Sequence, residues 1–148
     1  MGGPLSGLHV VDLTQVLSGP FWTMLLADLG ADVVRVEPPA ATLPGHGTAP
    51  ARDRSTGPDV RGYFASVNRI KRSICLDLTT ASGRGDLLEL LAQADVLVEN
   101  SRVEVMDRLG LSYELLHERF PNLVYARIRG FGIPAPDAAR TRSGRPST

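Results

Sequence analysis

Residues 5–39, LSGLHVVDLTQVLSGPFWTMLLADLGADVVRVEPP, constrain the fold of this 148-residue chain more tightly than any other stretch. Leu8 to Leu13 is a short aliphatic and β-branched run, suited to a strand buried on both faces. Ser18, Gly19 and Pro20 form a helix-start signal. Ser18 or Gly19 is the expected N-cap, and Pro20 takes the first helical position, where its missing N–H costs nothing. Trp22, Leu25, Leu26 and Leu29 then recur at i, i+3, i+4 and i+7, an apolar stripe expected to face a sheet. Gly30 supplies a left-handed stop. Asp32 to Glu37 is a second strand, and Pro38-Pro39 prevents it from continuing. Two strands joined by one crossover helix make a parallel βαβ unit. Ligands of such sheets collect beyond the carboxyl ends of the strands, here residues 14–18 and 37–39.

The remaining chain continues the alternation. Residues 40–62 form a long connection rich in Pro, Gly, Arg and Asp, a length that is uncommon inside a compact domain unless functional or disordered. Tyr63 to Val67 suits a short strand or a helical turn, and Ser73 to Leu78 suits a strand. Thr80 caps a helix whose Leu87, Leu90, Leu91 and Ala94 share a face. Asp95 to Glu99 is another parallel-type strand. Val103 to Leu109 reads as a helix stopped by Gly110, and Ser112 caps a further helix through Arg119, ended by Pro121. Leu123 to Ile128 is the last strand. Strands alternating with helices predict an α/β fold: a Rossmann-like, mostly parallel sheet with flanking helices.

Several function classes fall away. The formal net charge is zero, so no global field favours nucleic acid or an anionic membrane. No apolar run approaches the ~20 residues that span a bilayer. The N-terminus lacks the charged and apolar regions of a secretory signal, which makes a cytoplasmic location the expectation. A single cysteine forbids an internal disulfide and a multi-cysteine metal site. His9, His46 and His117 lack metal-ligand spacing, so no metal is expected, and His117 reads as a surface residue of its helix. Cys75 reads as a small buried hydrophobe. No Gly-x-Ser-x-Gly elbow anchors a hydrolase triad.

Three places can carry chemistry. The first βα turn, Thr14 to Gly19, has one glycine where a GxGxxG fingerprint would sit, which weakens a dinucleotide reading. Its helix N-terminus still suits an anion, although Gly19 also fits an ordinary turn. Asn68-Arg69-Ile70-Lys71-Arg72-Ser73 concentrates three cations before a strand. A solvated basic face is the plainer reading and a phosphate contact the functional one. Glu99-Asn100-Ser101-Arg102 lies at a strand's carboxyl end, with Arg108 further on. It reads either as ligand contacts or as capping of the next helix by Asn100 or Ser101.

With those residues in place, the chain resembles the family III CoA-transferases, which include formyl-CoA and carnitine CoA-transferases and related acyl-CoA racemases. The segments that carry the resemblance are PLSGLHVVDLTQVLSGPFWTMLLADLGADVVRVEPP, YFASVNRIKRSICLDL, ADVLVENSRVEVMDRLGLSYELL and PNLVYARIRGFG, in order over residues 4–132. It implies that this α/β domain binds coenzyme A, with Leu17 and Ser18 in the first turn as contacts. Leu76, Asp77, Leu78 and Thr79 form a second group of implied contacts, and Asn100, Ser101, Arg102 and Arg108 a third. Pro38 stands where the family often has a cation, and Ser101 where it commonly has an aromatic residue. The Asn-x-x-Lys-Arg-Ser form after Tyr-Phe favours the transferase branch over the racemases. The resemblance further implies acyl-CoA and carboxylic acid substrates, an interlocked homodimer, and no metal. The implied chemistry passes through an aspartyl anhydride and then an aspartyl-CoA thioester.

The resemblance stops at Gly130-Phe131-Gly132. Residues 133–148 contain no aliphatic side chain larger than alanine after Ile133, so disorder is expected there. Asp137 lacks the surrounding motif and is not assigned the nucleophile's role, which leaves no catalytic residue in the chain. A natural terminus and a change of reading frame near residue 133 are both open, the second being favoured. The leading expectation is thus an inactive N-terminal part of a CoA-transferase whose half-sheet leaves apolar edges uncovered. A non-catalytic CoA-binding module and a racemase fragment are the alternatives.

Overall fold

The computed structural model describes residues 2–39, 64–102 and 104–130. The connection at 40–62, Tyr63, Val103 and the tail from Phe131 onward lie outside the described residues, and with them His46 and Asp137. Within the described residues the first strand, β1, is His9–Asp12, followed by helix α1 (Ser18–Asp28) and strand β2 (Asp32–Glu37). A helical segment at 64–68 precedes strand β3 (Arg72–Cys75). Then come α2 (Ala81–Leu91), β4 (Val96–Glu99), α3 (Val105–Arg108), α4 (Tyr113–Arg119) and β5 (Val124–Arg127).

All five strands pair in parallel in the order β3-β2-β1-β4-β5. The chain builds outward from β1 to β3, then crosses back to place β4 on the other side of β1. This makes the β1–β4 seam the topological switch point of the sheet, where parallel α/β folds open a ligand crevice. In register, His9 pairs with Asp32 and Val10 with Val96.

Two apolar layers cover the sheet. Val11, Val36 and Leu97 pack with Leu87 and Leu91 of α2, Met106 of α3 and Leu116 of α4. On the opposite face Val10, Val33, Val96 and Val98 pack against Ala27 of α1 and Ala31. Central strands buried on both faces explain why β1, β2 and β4 read as nearly continuous apolar runs.

Several helix ends follow the sequence signals. Gly30 has φ +103°, and Ala31 N–H donates to Leu26 C=O while Gly30 N–H donates to Ala27 C=O. These are the two bonds of a Schellman stop, and only glycine enters that conformation without penalty. Thr80 and Ser112 accept hydrogen bonds from Gly83 and Leu115 N–H, capping α2 and α4. A Cβ on Gly83 would lie 2.1 Å from the Asp77 carbonyl oxygen, so α2 rests directly on the backbone of the preceding loop.

Helix α1 departs from its expected orientation and start. It begins at Ser18 with Leu17 as N-cap and no side-chain cap, so Pro20 is the third helical residue. Its buried face is Gly19, Pro20, Thr23, Met24 and Ala27. Trp22, Leu25 and Leu29 of the expected stripe are 37%, 41% and 46% exposed, and Leu26 alone packs on the core. The small residues Gly19, Thr23 and Ala27 let the helix backbone approach the sheet closely, and the Thr23 hydroxyl donates to Asp12 at 2.6 Å. Cys75 is also corrected: it is exposed, because β3 is an edge strand and all four of its residues are exposed.

Candidate functional site

Buried carboxylates stand at the carboxyl ends of the three central strands: Asp12 on β1, Glu37 on β2 and Glu99 on β4. A buried carboxylate requires a partner cation or several donors, and each of these has them. Asp12 Oδ1 accepts from the Thr14 N–H at 2.8 Å and the Thr14 hydroxyl at 2.5 Å. Its Oδ2 accepts from Thr23 Oγ1 at 2.6 Å and from Lys71 Nζ at 3.0 Å. Glu37 accepts from Ser73 Oγ at 3.0 Å and lies 3.5 Å from Arg35 Nε.

Glu99 faces two guanidiniums. Arg129 grips it bidentately, with Nη2 to Oε1 at 2.6 Å and Nη1 to Oε2 at 3.1 Å. The Ser101 N–H donates to Oε2 at 2.7 Å, and Arg127 Nε stands 3.6 Å from Oε1. Arg129 Nη1 also donates to the Ser101 carbonyl, so the turn after β4 is held at both its N–H and its C=O. The phenol of Tyr125 is pushed above its usual range by burial, and further by the charge of Glu99.

The turn between β1 and α1 is clamped from across the seam. Asn100 Oδ1 accepts the Gln15 N–H at 2.8 Å, and Asn100 Nδ2 donates to the Gln15 C=O at 2.7 Å. The next residue, Val16, has φ +68°, a left-handed conformation that costs a β-branched residue ~1–2 kcal/mol. Leu17 and Ser18 follow it, both exposed.

The basic cluster 69–72 divides in a way that neither sequence reading anticipated. Arg69 pairs with Asp28 at 2.5 Å, at the end of α1, and Arg72 pairs with Asp32 at 2.5 Å, at the start of β2. Both guanidiniums are therefore neutralised at the amino edge of the sheet, opposite the edge where ligands collect. Lys71 is not solvated: its side chain is 1% exposed. Burial pushes its ammonium below the usual lysine range, opposed by the charge of Asp12.

Of the residues expected to contact coenzyme A, Asn100 is bonded to Gln15, which joins the turn that carries Leu17 and Ser18 to the turn that carries Ser101 and Arg102 across the β1–β4 seam. Leu76, Asp77, Leu78 and Thr79 follow β3 on the same edge, two strands away from β1. Leu76 belongs to the core and Leu78 packs against it. Asp77 Oδ1 accepts from the Thr79 N–H at 3.0 Å and the Thr79 hydroxyl at 2.6 Å, repeating the Asp12–Thr14 arrangement. Arg102 and Arg108 are exposed, and Arg108 closes α3. Neither Asn100 nor Ser101 caps α3, whose N-cap is Glu104, so the capping reading of that pair is set aside. The sequence signal for Asp12 and Lys71 was present only as isolated charges beside apolar runs, which does not distinguish a buried pair from solvated ones.

Comparison with known proteins decides the family. The model of CoA-transferase family III matches residues 5–144. This chain belongs to CoA-transferase family III. It is 48% identical to the succinyl-CoA:mesaconate CoA-transferase of Haloarcula hispanica, over 98% of this chain and 36% of that protein. It is also 48% identical to the acetyl-CoA:oxalate CoA-transferase of Acetobacter aceti, over 90% of this chain and 33% of that protein. Among solved structures, a CAIB/BAIF family protein from Brucella suis superposes with a TM-score of 0.80 at 40% identity, covering 95% of this chain and 37% of that one. The chain thus spans about a third of the length of the curated relatives it matches. Family III membership and the parallel α/β sheet agree with the resemblance carried by the four sequence segments. No helix among the described residues is long and apolar enough to cross a membrane.

Proposed function

We propose that this chain supplies the coenzyme A-holding part of an enzyme that moves CoA between carboxylic acids. The carrying observation is the clamped β1–α1 turn at the topological switch point, which leaves Leu17 and Ser18 exposed, with an exposed Arg102 two residues past the clamping Asn100. Helix α1 begins there without a side-chain cap, so the N–H groups of its first residues, Ser18 and Gly19, donate to no capping side-chain oxygen and carry the partial positive charge of the helix end. That arrangement suits the phosphate-bearing part of CoA, and the guanidiniums of Arg102 and Arg108 add charge of the right sign. The fit rests on backbone donors and exposed cations rather than a glycine cradle, which accounts for the missing GxGxxG.

In the chemistry that the family resemblance implies, a carboxylate attacks the acyl-CoA carbonyl, the C–S bond breaks, and CoA leaves as thiolate. The thiolate then attacks the enzyme's half of the mixed anhydride, releasing the first acid. The second acid takes over the CoA by the reverse steps. This chain's contribution is to hold CoA through those exchanges.

A second reading, a CoA-binding module without turnover, is favoured by the state of the carboxylates at this edge. Asp12, Glu37 and Glu99 are all buried and committed to cations and hydrogen bonds. Calorimetric titration with CoA tests the binding claim shared by both readings. A saturable isotherm, weakened at least tenfold by Arg102→Ala with Arg108→Ala, is expected; no heat at millimolar CoA would sink it. Mass spectrometry after incubation with acyl-CoA tests the holding role: no covalent CoA adduct of this chain is expected, and an adduct would show that a nucleophile lies within it.

A further inference from the structure

The buried ammonium of Lys71 has no role in either reading of the basic cluster. It is closed to solvent, so it neither forms a solvated face nor reaches a phosphate. Yet it has four acceptors for three N–H bonds: Thr23 Oγ1 at 2.8 Å, Pro20 C=O at 2.9 Å, Asp12 Oδ2 at 3.0 Å and Asn68 Oδ1 at 3.1 Å. These come from three separate pieces of the chain: the end of β1, the first turns of α1, and the helical segment 64–68.

Each partner is itself fixed. Asn68 donates to the Phe64 carbonyl at 2.9 Å and accepts from Arg35 Nη1 at 2.8 Å. Asp12 uses its other oxygen to hold Thr14. The segment from Thr14 to Pro20 is therefore pinned at its start by Asp12 and at its end by Lys71, with Asn100 holding Gln15 between them. Val16 lies inside this span in its left-handed conformation. Such a conformation persists in a β-branched residue only when the surroundings over-determine it. A compact point charge with three donors is the side chain that satisfies several converging oxygens at once.

We propose that Lys71 is a positioning residue of the ligand site: by tying β1, α1 and segment 64–68 together, it sets the shape in which the 14–19 turn presents Leu17 and Ser18. The proposal rests on the CoA reading only for the identity of the ligand.

The test uses the 148-residue chain and two variants, Lys71→Met and the double variant Asp12→Asn with Lys71→Met. The double variant removes both charges, so it avoids the unpaired buried carboxylate that makes the single change prone to unfolding. Amide exchange is read at Thr14 and Gln15 and, as internal reference, at Val11 and Leu97. The expected result is exchange at least tenfold faster at Thr14 and Gln15 with the reference amides unchanged. CoA affinity is expected to fall at least tenfold even where the double variant melts at the wild-type temperature. Wild-type exchange at Thr14 and Gln15 in a double variant of wild-type stability overturns the proposal and makes Lys71 a filler of space. Absence of CoA binding by the wild-type chain defeats the CoA reading instead, and the exchange comparison still decides the role of Lys71.

Discussion

Asn100 and Gln15 form a closed two-bond pair across the β1–β4 seam, the side-chain amide of one matching the backbone N–H and C=O of the other. An amide is the functional group that both accepts and donates at this spacing, which accounts for asparagine at the end of β4.

Asn100→Asp keeps the acceptor and loses the donor, while Asn100→Ala loses both. At about 1 kcal/mol for each net hydrogen bond, the expected costs are about 1 and about 2 kcal/mol respectively. Urea unfolding measures them. An Asp variant as stable as wild type would show that the Gln15 carbonyl finds another donor and that the clamp is not holding the turn.

Glu99 and Arg129 make a stronger claim on stability. The Glu99 side chain is fully buried and that of Arg129 is 14% exposed. Replacing Glu99 by leucine leaves a nearly buried guanidinium without its bidentate partner, a change expected to cost about 3–5 kcal/mol. Adding Arg129→Met removes the orphaned charge and should recover a large part of that loss. A double variant no more stable than the single one would show that the cost lies in packing and not in charge.

Most element positions were legible because they depend on local chemistry. Gly30, Thr80, Ser112 and Gly110 mark real helix ends, and Asp32–Glu37 is a strand over its full expected length. What was not legible depends on contacts distant in sequence. The orientation of α1 is decided by Asp12 reaching Thr23 and by small residues fitting the sheet, and neither appears in a periodicity of large apolar side chains. Lys71 was unreadable for a similar reason: its partners Asp12 and Pro20 are separated from it by 59 and 51 positions. In the candidate site, the segments around residues 15 and 100 were visible, but their direct contact was not.

The corrected face of α1 gives a direct comparison. Met24 is 4% exposed and its neighbour Leu25 is 41% exposed. Truncating a buried methionine to alanine costs about 2–5 kcal/mol, so Met24→Ala should destabilise by that order. Leu25→Ala should cost clearly less than Met24→Ala, since 41% of Leu25 stays in water in the folded state. Thermal or urea unfolding of the two variants side by side decides it, and the reverse order would restore the stripe of Trp22, Leu25 and Leu29 as the buried face.

Tyr125 predicts the alkaline behaviour of the sheet edge. Its folded pKa is raised, first by burial and then by Glu99, so the folded state keeps the phenolic proton longer than the unfolded chain does. The resulting stabilisation is complete below the unfolded value of about 10 and is lost as pH climbs through the raised folded value. Lys71 runs the other way, since its lowered pKa makes stability rise with pH until the unfolded lysine also deprotonates. Tyr125→Phe isolates the first effect: wild type should lose stability relative to the variant above about pH 10. Parallel stability curves for the two proteins through that range would show that Tyr125 does not titrate differently on folding.

The strand order has a consequence in time as well as in space. Pairing His9 with Asp32 closes a short loop, whereas pairing Val10 with Val96 closes one roughly four times longer, at a greater entropic cost. Local pairings form readily and distant ones wait for the intervening chain to collapse. The β1–β2 pair can therefore assemble early, while the seam joined by Asn100 and Gln15 must await the arrival of β4. The seam proposed to hold CoA is thus a late product of folding, and a ligand that bridges it would act as a fastener on the longest-range strand pairing among the described residues.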